Sequence, residues 1–320
     1  MTASFWVLCA AATAIVAWSV SGLTAVALAA SRTAFERLAP AARARLLLVA
    51  STLPLMVAGA TMTAALAPML GWIADHCHTT NVHGHPHICG HHETMLPALP
   101  AITLAILFGL RCLTGAIRVG HASLQALRTR HSLEASAEGR FGTARVLPID
   151  QPSAFVLGIF RPALFVTRGL LDASRRLHVP TVLAHEEAHL RRADPLRRVV
   201  ASVALLFHLP GVAAALEREL AQAHELAADE DAARVVGSRP QVAEALVALA
   251  RTRHAVPPGA HAFGARDLEL RVRELLDDRK RPNGPPAYVL GLLLLGLFIA
   301  IGASADAIHH GVEMALGLFT

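Results

Sequence analysis

Apolar and polar positions alternate along this chain in long blocks rather than at helical or strand spacing. Phe5 to Ala30 carries no charge and is long enough to cross a bilayer, as is Leu46 to Ile73. Leu99 to Leu110, extended towards Ile117, makes a third such block across a single arginine, and Tyr288 to Ala305 makes a fourth. A fifth apolar run, Val199 to Leu216, is broken by His208, Pro210 and Gly211, so it reads as a membrane-adjacent hairpin over 198–216 rather than a full span. The blocks divide the chain into three transmembrane helices (1–117), a polar region (118–286), a fourth transmembrane helix (287–305) and a short tail (306–320).

Charge sets the expected orientation. The loop from Ser31 to Arg45 is arginine-rich, whereas the loop from Asp75 to Met95 has no lysine or arginine, which places the first inside and the second outside. Arg111, Arg118, Arg128, Arg130 and Arg140 follow the third block and Arg279-Lys-Arg281 precedes the fourth, so the polar region is expected in the cytoplasm. No basic residue precedes Phe5, which favours a retained helix with its N-terminus outside over a cleaved signal peptide. Composition agrees with a membrane protein: 54% hydrophobic residues, 17% charged residues and a mean hydropathy of +0.46. The net charge of +5 is accounted for by this topology and by anionic lipid. No basic stripe interleaves with aromatics, so direct nucleic-acid binding is not expected.

The polar region is long enough for one compact domain. Arg145 to Leu147, Ala154 to Leu157 and Ala163 to Thr167 are predicted strands, with Gly158 and Pro162 turning the chain between the last two, and helices follow from Leu170. The predicted class is a mainly α polytopic membrane protein with an α+β cytoplasmic domain. An exposed strand near Phe155 or Phe165 is expected either to pair with an extended peptide or only to pack beneath a helix.

Within that region His185-Glu-Glu-Ala-His189 places two imidazoles four residues apart, one above the other on a helix, where both can reach one ion. Pro180 suits a first helical turn, and no breaker intervenes before Pro195. Glu186 would then stand beside the metal as general base, taking a proton from a water that zinc acidifies, while Glu187 faces elsewhere. In a chain this rich in histidine and acid the pentapeptide arises by chance with a probability of roughly 0.1, so a further ligand is required. Glu225 is the candidate third ligand, and Asp229, on the same helical face, the carboxylate that orients a ligating histidine. Glu217 and Glu219 are the competitors, but neither has an aspartate four residues on.

These motifs resemble the BlaR/MecR-type membrane metallopeptidases, relatives of the HtpX-type and CAAX prenyl-type membrane proteases. The resemblance rests on Gly158-Ile-Phe-Arg-Pro-Ala-Leu-Phe-Val166, on His185 to Pro195, on Phe207-His-Leu-Pro210, on Glu225-Leu-Ala-Ala-Asp229 and on Leu268-Glu-Leu-Arg-Val-Arg-Glu-Leu-Leu276, spanning about residues 140 to 280. It implies a gluzincin-type zinc peptidase domain with His185, His189 and Glu225 as ligands. It also implies a protein substrate, either a BlaI-type transcriptional repressor or the chain itself, or else membrane proteins under quality control. Unlike the best-known BlaR/MecR members, only about 15 residues follow Ala305, so no external sensor domain of their kind is expected there.

The external loop at 75–95 is rich in metal-binding side chains: His76, Cys77, His78, His83, His85, His87, Cys89, His91 and His92. It reads equally as a metal sensor or scavenger, the basis of a non-enzyme alternative in which the chain is a sensor or transport accessory, and as a polar loop with incidental affinity. Cys77 and Cys89 are alternatively a disulfide pair, whereas Cys9 and Cys112 read as packing residues. Substrate, inducing signal and oligomeric state have no signature in the sequence. For stabilising an oxyanion, His208, His224, His254 and His261 are the candidates.

Overall fold

The structure, a computed structural model, describes residues 3–67, 70–72, 98–171, 179–252, 265–277 and 281–317. The histidines and cysteines of the 75–95 loop, together with His254 and His261, lie outside the described residues.

Three helices are long and apolar enough to cross a membrane: α1 (Ala3–Ala30), α3 (Pro40–Ala65), reached through the short α2 (Arg32–Glu36), and α4 (Leu99–Ala135). α1 packs on both of the others through small residues that let backbones approach, with Ala11, Ala12, Ala14 and Ala17 meeting Ala58, Met62, Ala101, Ala105 and Phe108. α4 does not stop near Ile117, where the apolar block ends. It is 37 residues long, about 55 Å at the rise of an α-helix and nearly twice a hydrocarbon core of about 30 Å, so its second half projects beyond the bilayer.

That projection leads into a four-stranded sheet of β1 (Gly139–Phe141), β2 (Ala144–Leu147), β3 (Ala154–Leu157) and β4 (Ala163–Thr167), in the order β1-β2-β4-β3. β2 and β4 are parallel, and the other pairs are antiparallel. The sequence pattern misses β1 because all three of its residues are exposed and carry no apolar alternation. Gly158 turns the chain towards β4 at φ 113°, where a Cβ would also lie 3.1 Å from the Arg161 carbonyl oxygen. Phe165 sits fully buried on the inner strand β4, between β2 and β3, so its backbone is not open to a peptide; Phe155 lies on β3, at the sheet edge.

α5 (Arg168–Leu171) follows β4, and α6 (Val179–Arg191) then lies against β3 and β4 through Val179 and Val182, which meet Leu164, Val166 and Leu170. α7 (Asp194–Ala204), a 3-10 turn (Leu205–Phe207) and α8 (Pro210–Val236) form a helical hairpin that takes in the 198–216 run and extends well beyond it. Its elbow enters the bundle of spans. His208 is fully buried, with Nδ1 3.1 Å from the Ser21 hydroxyl and Nε2 3.2 Å from the Ser51 carbonyl oxygen, and Arg111 donates to the carbonyls of Leu205 and Leu206 at 3.0 Å each. Leu47 and Ala50 of α3 pack with Ala201, Leu205, Leu216 and Leu220 of the hairpin.

α9 (Arg239–Thr252) and the amphipathic α10 (Ala265–Leu276) close the domain around Leu275, Val242 and Ala232. α11 (Ala287–Ala303) and α12 (Ala305–Gly317) pass the length and hydropathy test for a span only as a pair, and they are bent by 68°. The expected tail is therefore helical through Gly317. It folds back along α3, where His309 Nδ1 donates to the Ala65 carbonyl at 2.6 Å.

Candidate metal centre

α6 runs unbroken from a proline in its first turn to Arg191, so residues four apart share one face. The rings of His185 and His189 stand 4.8 Å apart and nearly perpendicular, with their Nε2 atoms facing each other at 3.2 Å. α8 crosses α6 and brings in Glu225, whose Oε2 is 3.4 Å from His185 Nε2 and whose Oε1 is 3.7 Å from His189 Nε2. Ligand bonds of about 2.0–2.1 Å in a tetrahedron imply edges of about 3.3 Å between donor atoms. The three separations bracket that value, and a nitrogen and oxygen donor set of this kind suits zinc. Among the described residues this is the one group of three or more such side chains whose donor atoms converge, all within 4.8 Å of one another.

The other nitrogen of each ring faces a carboxylate, which leaves Nε2 for an ion. His185 Nδ1 lies 2.9 Å from Asp229 Oδ1, an ion-pair contact rather than a well-aligned hydrogen bond, and His189 Nδ1 donates to Asp194 Oδ2 at 2.8 Å. Asp229 is the orienter expected from the sequence. Asp194 is not, because it lies beyond the turn that ends α6. Ala193, the only non-glycine residue with positive φ among those described, adopts φ 52° there and swings Asp194 back beneath His189. An aspartate directly before a proline at a helix start was the available signal.

Arg271 of α10 is the second residue the motifs do not reveal. Its Nε and Nη2 both donate to Asp229 at 2.7 Å, in a bidentate pair, and its Nη1 stands 3.3 Å from Glu225 Oε2. Asp229, Glu225 and Arg271 are all buried. Burial alone would raise both carboxyls, yet Arg271 and His185 hold Asp229 and Glu225 well below the usual carboxylate range. Desolvation alone would lower His185, but Asp229 and Glu225 raise it to about 10. Glu186 moves the other way: burial pushes its carboxyl up, and the nearby His185 and His189 only partly offset that.

The competing carboxylates fall elsewhere. Glu217 and Glu219 are exposed, and Glu187 accepts a hydrogen bond from the Thr143 hydroxyl at 3.1 Å, away from the donors. His208 is held at the elbow among the spans, and His224 Nε2 lies 3.9 Å from Asp194 Oδ1, on the far side of that carboxylate. Neither contacts the three donor atoms.

Residues 121–253 match Peptidase family M48. A protease HtpX homolog of Sulfurovum sp. (strain NBC37-1) is 26% identical over 155 residues, covering 37% of this chain and 56% of that protein. The chain thus spans little more than half the length of the curated relative it matches. No solved structure matches it significantly. Of the expected resemblances, these matches support the HtpX side and not the BlaR/MecR subtype in particular. Residues 121–253 are thus similar to peptidase family M48 and, more weakly, to an HtpX homolog, in a chain whose other helices are long and apolar enough to cross a membrane.

Proposed function

We propose that the protein is a membrane-embedded zinc endopeptidase whose centre works at the cytoplasmic face of a bacterial inner membrane. The observation that carries this reading is the convergence of His185, His189 and Glu225, with a carboxylate behind each histidine. These three residues would hold the metal, and when bound zinc supplies Lewis acidity that polarises a carbonyl and lowers the pKa of water. Glu186 follows His185 on the same helix and feels both imidazoles. Its carboxylate takes the proton of the attacking water and passes it to the leaving amine, a role helped by the burial that raises its pKa. Asp194 and Asp229 fix the ring orientations, and Arg271 keeps Asp229 and Glu225 ionised. β3, an edge strand against α6, offers the backbone on which an extended substrate pairs.

The substrate is protein. The match to a protease HtpX homolog supports a peptidase; cleavage of membrane proteins in quality control is the alternative reading. The resemblance of residues 140 to 280 to BlaR/MecR-type enzymes favours signalling by cleavage of a BlaI-type repressor or of the chain itself. Glu186→Gln tests the enzyme: proteolysis by the purified protein is lost while one zinc per chain remains, and undiminished proteolysis in that variant overturns the assignment. New protein N-termini that vanish in cells carrying Glu186→Gln then separate the two substrate classes.

A further inference from the structure

Where α7 leaves the bilayer, the protein gathers more positive charge than it neutralises. The elbow fixes the level. Leu205 and His208 sit beside Ser51 and Arg111 of the spans, and Ala201 packs on Leu47 and Ala50. From that level Arg45 lies six residues back along α3, and Arg197 and Arg198 lie seven to eight residues back along α7. Each step returns about 9–12 Å along a helix axis, so the three guanidiniums come to one height just outside the apolar zone. Below them, Val200 and Val203 of α7 are 44% and 41% exposed, a face suited to acyl chains.

Arg192, at the end of α6, completes the cluster. Among the described residues the acidic groups paired with this cluster are two. Asp194 lies 3.7 Å from Arg192 and 3.8 Å from Arg197 but is already bonded to His189, and Asp231 lies 3.4 Å from Arg192. Arg45 Nη2 donates to the carbonyls of Asn283 at 2.8 Å and Pro285 at 3.5 Å, neither of which carries charge. The buried Nε atoms of Arg45 and Arg192 have no hydrogen-bond partner, and no described acidic residue pairs with the exposed Arg198. The crowding is felt locally. Burial lowers Arg197 below the usual arginine range, with Asp194 opposing and Arg192 and Arg45 adding to the effect.

We propose that Arg45, Arg192, Arg197 and Arg198 form a binding site for the phosphate headgroup of an anionic phospholipid, its acyl chains lying along Val200 and Val203. Guanidinium forks suit phosphate oxygens, and a lipid delivers its phosphate at this depth. The site goes beyond the peptidase reading and does not depend on it.

The test uses the full chain in neutral detergent, with bound lipid counted by native mass spectrometry during titration with phosphatidylglycerol or phosphatidylcholine. Phosphatidylglycerol is expected to bind saturably and phosphatidylcholine at least 10-fold more weakly. Arg197→Gln with Arg198→Gln weakens phosphatidylglycerol by 10-fold or more, and Arg45→Gln, on a separate helix, weakens it independently should the double variant fail to fold. Arg118→Gln with Arg128→Gln, which removes the same charge from the exposed part of α4, leaves binding unchanged. Equal retention of the two lipids, or wild-type retention by both cluster variants, overturns the proposal. Displacement of the lipid by millimolar inorganic phosphate overturns the lipid assignment in favour of a free-phosphate site. Glu186→Gln binds phosphatidylglycerol as the wild type does, so failure of the peptidase reading leaves this result standing.

Discussion

His189 Nδ1 and Asp194 Oδ2 are 2.8 Å apart although a helix end separates them, and the left-handed turn at Ala193 is what closes the distance. Asp194 is 2% exposed, and its side chain faces the ring it orients. A carboxylate in this position fixes the tautomer and raises the basicity of the outward nitrogen. Asp194→Ala is expected to weaken zinc binding by about 10–100-fold, as removal of such a partner does elsewhere. Competition against a chromophoric chelator measures it, and unchanged affinity would show that the contact does not tune His189.

Arg271 makes a bidentate pair with Asp229 and also reaches Glu225. Removing it leaves two buried carboxylates with only the His185 imidazolium to balance them. Breaking a buried pair by deleting one partner costs about 3–5 kcal/mol. Arg271→Ala should therefore lower the unfolding midpoint substantially in the metal-free protein, and bound zinc should restore part of the loss by neutralising Glu225. A midpoint within error of the wild type would argue that water or another group already screens the pair.

Spacing and composition made much of this arrangement legible, and the limits were physical. His185, His189, Glu225 and Asp229 were readable because each pair stands four residues apart on a helix, a distance that geometry converts directly into a shared face. Asp194 and Arg271 were not, because one depends on a backbone turn of reversed hand and the other arrives from a helix far along the chain. The apolar blocks marked the spans but not their ends: α4 continues as a polar helix long after its hydrophobic stretch, and nothing in a hydropathy pattern forbids that. β1 was missed because an exposed three-residue strand has no alternation to detect. The helix from Ala305 was read as a tail because it is too short to span.

The metal-free protein has a pH signature. Burial disfavours the His185 imidazolium, but Asp229 and Glu225 outweigh it and raise the group to about 10. A group raised on folding contributes stability that is fully present below its unfolded pKa, about 6.5, and is lost as pH climbs through the folded value. Chelator-treated protein should therefore lose thermal stability between about pH 7 and pH 10, whereas the zinc-loaded protein, with His185 already neutral, should not show that loss. The same proton must leave when metal binds, so zinc affinity should rise with pH across this range. Calorimetry in buffers of different ionisation enthalpy reads the released proton, and binding without proton release would contradict a charged His185.

Arg111 is the one basic side chain within the apolar part of a described span, and its partners explain why it is tolerated. Its Nε and Nη2 each donate at 3.0 Å, to the carbonyls of Leu206 and Leu205. The Leu205 carbonyl also accepts from the His208 N–H at 3.2 Å, so it is the Leu206 carbonyl, at a helix end, that depends most on Arg111, and in hydrocarbon an unmet carbonyl is costly. One turn further along α4, Gly115 leaves room for Leu206, since a Cβ there would fall 2.1 Å from Leu206 Cδ2. Guanidinium and glycine together seat the elbow from which α8 carries Glu225 to the candidate metal centre. Arg111→Leu should therefore cost about 1–3 kcal/mol for the Leu206 carbonyl it leaves unmet. Arg111→Lys should fall between the two, because a single ammonium lacks the planar fork that meets both carbonyls at once. Unfolding in detergent gives the order wild type, Arg111→Lys, Arg111→Leu. A leucine variant as stable as the wild type would mean that the carbonyls find other donors and that the elbow is seated by apolar packing alone.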